Sequence, residues 1–255
     1  MLKPATPRQV RIAVDHLTEY RYDRPVSFAE HSLYLRPRES QTLHVERFAL
    51  ECEPAGKLRW VRDCFNNVVG VVGFGLAESA RLSFHARMVF AVAEENPFDF
   101  ILETRATKFP FAYDERERVA LGPFLEPEGS ERFRVLEWVR GLLGDLSQTR
   151  DTISLLAELN SAIHRTVAYE RRDDEGVQTA PETLERGAGS CRDMAELFVA
   201  ASRHLGLAAR FVSGYLFEPP PPDGSAAFNR AAGSMHAWAE VYLLSLIHIS
   251  EPTRH

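Results

Sequence analysis

The stretch "ERGAGSCRDMAELF" (residues 185–198) decides the fold of the C-terminal half of this 255-residue chain. Small residues lead directly into Cys191, and apolar residues at helical spacing follow it. A cysteine that only fills apolar space needs no such approach, whereas a sulfur that a substrate must reach does. We therefore predict a helix that begins at Cys191 and presents the sulfur in its first turn.

The predicted helix gives this thiol a chemical setting. The free amide groups at a helix N-terminus favour an anion, so thiols placed there can ionise near neutral pH. An open backbone amide at Cys191 can also hold a developing oxyanion. The pattern indicates a nucleophilic cysteine, with Asp193 supporting the helix terminus. The apolar stripe ends at Gly206, a residue suited to a C-terminal cap, and consists of Met194, Leu197, Phe198, Ala201 and Leu205.

A thiolate nucleophile needs a proton shuttle, which is usually a histidine. His164 and His204 lie at the ends of predicted helices, where a polar surface role is expected. His236 instead opens a strand in "GSMHAWAEVYL" (residues 233–243), with Trp238 and Glu240 on its own face by alternation. One strand and one loop separate it from the Cys191 helix, so the helix N-terminus can face the start of this strand. His236 is therefore the predicted partner of Cys191.

The remaining C-terminal half has helical periodicity upstream and strand periodicity downstream. One helical stripe is Phe133, Leu136, Val139 and Leu143, and a second, with Asp151 as its N-cap, is Ile153, Leu156, Leu159 and Ile163. Residues 209–217 and 236–243 resemble strands, and the proline-rich residues 218–233 between them are typical of an exposed loop. We predict an α+β core over residues 131–243.

The N-terminal residues carry a period of two, which is typical of half-buried strands. In "RLSFHARMVFAV" (residues 81–92), one face is apolar, and the facing positions are Leu82, Phe84, Ala86, Met88 and Phe90. Turn residues separate several such runs, which predicts an antiparallel β-sandwich-like domain over residues 8–95. Residues 96–130, with several prolines and a charged run at 114–118, are predicted to connect the two domains.

Composition excludes several classes of function. The formal net charge is −6, and Lys and Arg do not cluster in the way that nucleic acid or an anionic membrane requires. Phosphate-binding glycine motifs are absent from the sequence, as are signal-peptide and membrane-spanning runs. We expect a cytoplasmic protein with no nucleic-acid or membrane partner and no cofactor; the sequence leaves its oligomeric state open.

The cysteine content gives a consistent picture. Three cysteines at irregular spacing do not build a disulfide scaffold, so a reducing compartment is expected. Cys52 and Cys64 are predicted to be packing residues of the β domain. A metal site is not predicted, because Cys191 and His236 do not complete the four ligands of structural zinc.

Two motifs resemble the core of the transglutaminase-like superfamily, which is papain-like in fold. They are "GSCRDMAELFVAASRHLGLAARFVSGY" (residues 189–215) and "HAWAEVYL" (residues 236–243), and they occur in the order of that family. The earlier stretch "HLTEYRYDRPVSFAEHSLYLRPRES" (residues 16–40) resembles the β-rich N-terminal region of its bacterial members. The resemblance implies that Cys191 is the nucleophile and His236 the general acid/base of acyl transfer through a thioester. It also implies a peptide or protein amide substrate, with bacterial relatives leaning toward hydrolysis.

The chain departs from this family after Tyr242. Members of the family carry an Asp on the next strand, which orients the imidazole, but this sequence has no Asp beyond Asp223. The string "SLIHISEPTR" (residues 245–254) resembles a translated sequencing adapter, so we expect residues 244–255 to be a foreign tail and the core to be incomplete. Loss of the carboxylate would impair catalysis, and we assign Glu240 no such role.

Three functional interpretations remain open from the sequence. The first is a thiol enzyme that acts on amide bonds, either a cysteine peptidase or amidase or an amine-accepting transferase. The second is a non-catalytic peptide- or protein-binding module with a transglutaminase-like fold. For Cys191 itself, the alternative to a nucleophile is a buried structural thiol. The third is a small-molecule acyltransferase of arylamine type. Trp238 is equally consistent with a cleft wall and with core packing.

Overall fold

The computed structural model describes residues 9–93, 102–127, 132–172, 175–216, 235–243 and 246–248. The chain divides into two compact units, Met1–Asp99 and Phe100–His255. The predicted connecting segment overlaps the second unit, since Ala106, Phe109 and Tyr113 are buried there.

The first unit is built from strands in two antiparallel sheets. The first sheet has the order β1 (Gln9–Ser27), β6 (Glu78–Ala93), β3 (Leu43–Glu53), and the second has the order β2 (His31–Arg36), β5 (Val68–Gly73), β4 (Lys57–Arg62). Every apolar position predicted for the inner face of β6 is at most 5% exposed. The alternation therefore predicted this strand and its buried face correctly.

The two sheets of this unit enclose one core. Leu82 and Phe84 of β6 pack with Val72 of β5, and Phe28 and Phe74 fill the same cluster. Since the cluster takes side chains from both sheets, the unit is a β-sandwich, as predicted.

The second unit combines helices with short sheets. Its helices are α1 (Glu115–Leu125), α2 (Arg132–Leu143), α3 (Thr152–Thr166), α4 (Ala180–Arg186) and α5 (Cys191–His204), with a 3-10 turn at Thr104–Ala106. Its main antiparallel sheet has the order β11 (Ala209–Gly214), β12 (His236–Tyr242), β13 (Leu246–His248). The unit also contains two separate two-stranded sheets, which pair β7 (Lys108–Phe109) with β8 (Arg150–Asp151) and β9 (Ala168–Tyr169) with β10 (Ala188–Gly189). The predicted α+β class is correct.

The core of this unit lies around α5. Leu197 and Phe198 of α5 pack with Ala239 and Val241 of β12 in one cluster, to which α2, α3 and α4 contribute. The stripe predicted for α5 is therefore the face that meets the sheet, and Gly206 adopts the left-handed φ of 75° that a residue after a helix end favours. Asp151 caps α3 as predicted, since its carboxylate accepts a hydrogen bond from the Ser154 amide.

Several predictions fail in detail. In the stripe predicted for α2, Val139 and Leu143 lie in the core and Leu136 is half-buried, but Phe133 is 64% exposed and Val135 is buried instead. The charged run at residues 114–118 opens α1, because Asp114 and Glu117 form a capping box. Some predicted segments lie outside the described residues. They are the loop at 218–233, Phe217 at the end of the predicted strand, and residues 244–245 and 249–255 of the predicted tail. Among the helices in the described part of the chain, none is long and apolar enough to cross a membrane.

Candidate active site

Cys191 is the first residue of α5, as the sequence predicts. The chain reaches it from α4 through Gly187, whose left-handed φ of 61° ends that helix, and then through β10, which pairs in parallel with β9. Gly189 is required for a different reason, because a Cβ there would lie 2.9 Å from the Cβ of Asp193. The small residues before Cys191 thus serve the backbone path and close packing against α5.

The Cys191 side chain faces the main sheet rather than open solvent. Only 8% of the residue is exposed, and it forms a small apolar cluster with Ala195 of α5 and Ala237 of β12, against which Phe211 packs. The sequence predicts a sulfur within reach of a substrate, and the described residues leave the Cys191 sulfur only this narrow access. Ala237 directly follows His236, so the structure brings the Cys191 turn and the start of β12 together.

His236 occupies the first position of β12, opposite Gly214 of β11. Trp238 lies on the same strand face by alternation, and a Cβ on Gly214 would be 2.6 Å from the Trp238 Cη2 atom. The indole ring therefore lies across the Gly214 backbone, directly beside the end of the strand that carries His236. Trp238 is half-buried, so it both packs on the sheet and borders this end of the unit.

Glu240 of β12 forms an ion pair with Arg210 of β11. It is 5% exposed, and its carboxylate accepts a 2.7 Å hydrogen bond from Nε of Arg210, which lies directly opposite it on β11. A buried carboxylate paired in this way is held by its partner. Both contacts with Arg210 are made by the Oε2 atom of Glu240.

Asp193 is the most heavily hydrogen-bonded side chain of this region. It is fully buried, and its Oδ2 accepts from the backbone N and the Oγ of Ser190, both at 2.8 Å. Its Oδ1 accepts from Nη1 of Arg172 at 2.8 Å and from the backbone N of Gln178 at 2.7 Å. The predicted support of the helix terminus is confirmed.

The ionisation of Asp193 follows from these contacts. Burial opposes its charge, but the hydrogen bonds from Ser190, Gln178 and Arg172 outweigh burial and hold the pKa of Asp193 below its ordinary value. Because the pKa is lowered on folding, the resulting stability is present above the unfolded pKa of about 3.9 and is lost as the pH falls through the folded value.

Arg172 and Gln178 were not predicted as partners of Asp193. Both are more than ten residues from Asp193 along the chain, and Arg172 lies in a charged run that is typical of a solvated surface. No local periodicity links residues so far apart. One signal was available: an acidic residue at a buried position needs hydrogen-bond donors, and for Asp193 these had to come from other parts of the chain.

The other two cysteines differ from Cys191. Cys52 is half-buried against the β-sandwich core, as predicted, and burial raises the pKa of its thiol. Cys64 is exposed, so its prediction as a packing residue was wrong. Within the residues that the structure describes, no group of three His, Cys, Asp or Glu side chains could hold a metal ion.

The contact between Trp238 and Gly214 gives a first prediction. We expect Gly214→Ala to lower the free energy of unfolding by about 1–3 kcal/mol, because the new methyl group would overlap the indole ring. Gly141→Ala in α2 is the matched control: a Cβ there meets nothing within 4 Å, so the change should raise stability by up to about 1 kcal/mol. Chemical denaturation of both variants checks this, and equal effects would contradict the ring placement.

Two family models match the chain in succession. Residues 12–90 match the bacterial transglutaminase-like N-terminal region, and residues 141–250 match the transglutaminase-like superfamily. Uncharacterised proteins of Mycobacterium tuberculosis (strain H37Rv) and Mycobacterium bovis are each 28% identical over 242 residues, covering 91% of this chain and 73% of theirs. The succession of matches follows the division of the structure into two units.

One solved structure supports the same fold. A crystal structure from Cytophaga hutchinsonii, described as a candidate cysteine protease, has a TM-score of 0.65 at 16% identity and covers 95% of this chain and 82% of that one. The periplasmic domain of TgpA from Pseudomonas aeruginosa has a TM-score of 0.42 at 16% identity, covering 96% of this chain and 70% of that one, which establishes no shared fold. The chain therefore carries, in succession, a region that matches the bacterial transglutaminase-like N-terminal region and a region that matches the transglutaminase-like superfamily.

Proposed function

We propose that the second unit is a thiol enzyme that transfers acyl groups from peptide or protein amides through a thioester on Cys191. The observation that carries this proposal is the cluster of Cys191 with Ala237, which sets the first turn of α5 beside the residue that follows His236. The superfamily match over residues 141–250 contains both residues and supports the same chemistry.

In the proposed first half-reaction, His236 takes the thiol proton and the Cys191 sulfur attacks the amide carbonyl carbon. The carbonyl oxygen becomes an oxyanion, for which the backbone amides in the first turn of α5 are the proposed donors. As the tetrahedral intermediate collapses, the carbon–nitrogen bond breaks and the imidazolium of His236 gives its proton to the leaving amine. The product is an acyl thioester on Cys191 and a free amine.

The second half-reaction removes the acyl group. His236 accepts a proton from water or from a second amine, which attacks the thioester carbon, and the thiol leaves with that proton. Water gives a carboxylic acid, and an amine gives a new amide. The two outcomes are separated by the mass of the product formed when a primary amine is added to the reaction.

Selective thiol reactivity tests the proposal. Exposure alone predicts that iodoacetamide should modify Cys64 first and Cys191 last, since Cys64 is exposed, Cys52 half-buried and Cys191 buried. We expect Cys191 instead to be modified faster than either of the others at neutral pH, because His236 is the proposed acceptor of its proton as the sulfur attacks. Mass spectrometry of tryptic peptides over a time course measures all three rates in one sample, and an order that follows exposure would refute the enzyme.

A second function, a non-catalytic binding module, is favoured by the 8% exposure of Cys191. In that case the second unit binds a peptide or protein without turnover. The same alkylation experiment decides between the two, since a structural thiol in an apolar cluster should be the slowest of the three to react.

A further inference from the structure

The carboxylate of Asp193 has no part in the proposed reaction, yet it is fully buried two positions after Cys191. An ionised carboxylate offers about four lone-pair sites. Those of Asp193 are occupied by the two Ser190 donors, Arg172 and Gln178. Asp193 is thus saturated with donors and has no acceptor left to orient an imidazole.

The four donors of Asp193 belong to two separate segments of chain. Ser190 immediately precedes the nucleophile, whereas Arg172 and Gln178 lie in the stretch after β9. One carboxylate therefore joins the Cys191 turn to that stretch. Arg192 adds a further link, because its Nη2 donates to the backbone oxygen of Arg172 at 3.0 Å.

Backbone hydrogen bonds also hold the residues that precede Cys191. Ala168 donates to the oxygen of Gly187 at 2.8 Å, and Glu170 donates to that of Gly189 at 2.9 Å. Gly189 has no Cβ where one would meet Asp193 at 2.9 Å, so this strand can approach α5 only with glycine at that position. Residues 187–190 are consequently held between β9 on one side and Asp193 on the other.

From these contacts we infer that Asp193 is a positioning residue: it fixes the Ser190–Cys191 turn, and with it the sulfur and backbone amide of Cys191, against the stretch of Arg172 and Gln178. This inference rests on the proposed function, because positioning matters only if Cys191 reacts. Asp193 acts through Ser190 and not by contact with substrate.

A purely electrostatic role for Asp193 makes a different prediction. A negative charge close to the sulfur opposes a thiolate, so removing that charge would move the pH profile of the Cys191 reaction to lower pH and leave its maximal rate unchanged. Loss of positioning would lower the maximal rate and leave the midpoint in place. Misplacement of a reacting group by about 1 Å can cost about 100-fold in rate.

The test is Asp193→Asn in the full chain, with Asp151→Asn as the matched control. Asp151 accepts from the amide and the Oγ of Ser154 at the start of α3, so the control removes a similar cap from another helix. The probe is p-nitrophenyl acetate, and the readout is the burst of p-nitrophenol on acylation of Cys191 across pH. We expect Asp193→Asn to lower the maximal burst rate by about 10- to 100-fold with an unchanged midpoint, and Asp151→Asn to match wild type.

A wild-type maximal rate in Asp193→Asn, with or without a shifted midpoint, would overturn the inference. If the wild-type chain itself shows no burst at Cys191, the proposed function fails and the inference falls with it, a result distinct from the first. Should Asp193→Asn not fold, Ser190→Ala removes one of the four donors alone and is expected to lower the maximal rate several-fold. An unaltered rate in a folded Ser190→Ala variant would then overturn the inference.

Discussion

Replacement of His236 by alanine is expected to slow the acylation of Cys191 by about 10²- to 10⁴-fold, which is the usual contribution of a general acid/base. The imidazole of His236 is the proposed acceptor of the thiol proton, and no other histidine in the described residues lies on β11 or β12. The burst of p-nitrophenol from p-nitrophenyl acetate measures the effect, and Cys191→Ala should abolish the burst.

The control for this experiment is His164→Ala. His164 lies in the last turn of α3, where it is exposed, and we assign it no chemical role. Its removal should leave the burst unchanged. A burst in His236→Ala that equals the wild-type burst would show that this imidazole does not serve the sulfur.

The second large effect concerns stability. Phe198 is 1% exposed and lies in the cluster that joins α5 to the helices and sheet of the second unit. We expect Phe198→Ala to lower the free energy of unfolding by about 3–5 kcal/mol, because it removes a large buried ring and leaves a cavity. Differential scanning calorimetry of the full chain measures the loss as a lower melting temperature of the second unit.

Phe133→Ala is the matched control, since the same ring in α2 is 64% exposed. Its replacement should change the free energy of unfolding by no more than about 0.5 kcal/mol. Equal losses in the two variants would contradict the placement of α2 and α5 in the core.

The pattern of successes shows what local sequence can determine. The inner face of β6, the cap of α3 and the stripe of α5 depend on residues close together in sequence, and each was predicted correctly. The helix that begins at Cys191 was also predicted, from the small residues before Cys191 and the apolar residues at helical spacing after it. In these segments, local period and end signals agree with the tertiary contacts.

The failures have physical causes. The helices α1 and α4 were not predicted. Both begin at capping boxes of polar residues, and neither has the long apolar stripe by which a helix is recognised in a sequence. The prediction that Phe133 lies on the buried face of α2 is wrong, because helical spacing allows either Phe133 or Val135 to join that face and only the packing partners choose between them. The Asp193 network could not be predicted, because Arg172 and Gln178 reach it only through the fold.

The central claim is that the sulfur of Cys191 lies within reach of position 236. It is tested most directly in a chain carrying His236→Cys with Cys52→Ser and Cys64→Ser, which leaves thiols only at these two positions. A short bifunctional alkylating agent should join them, and peptide mapping should recover residues 191 and 236 in one cross-linked product. If a monofunctional agent labels both thiols but the bifunctional agent never joins them, the two positions do not form a site and the proposed mechanism is wrong.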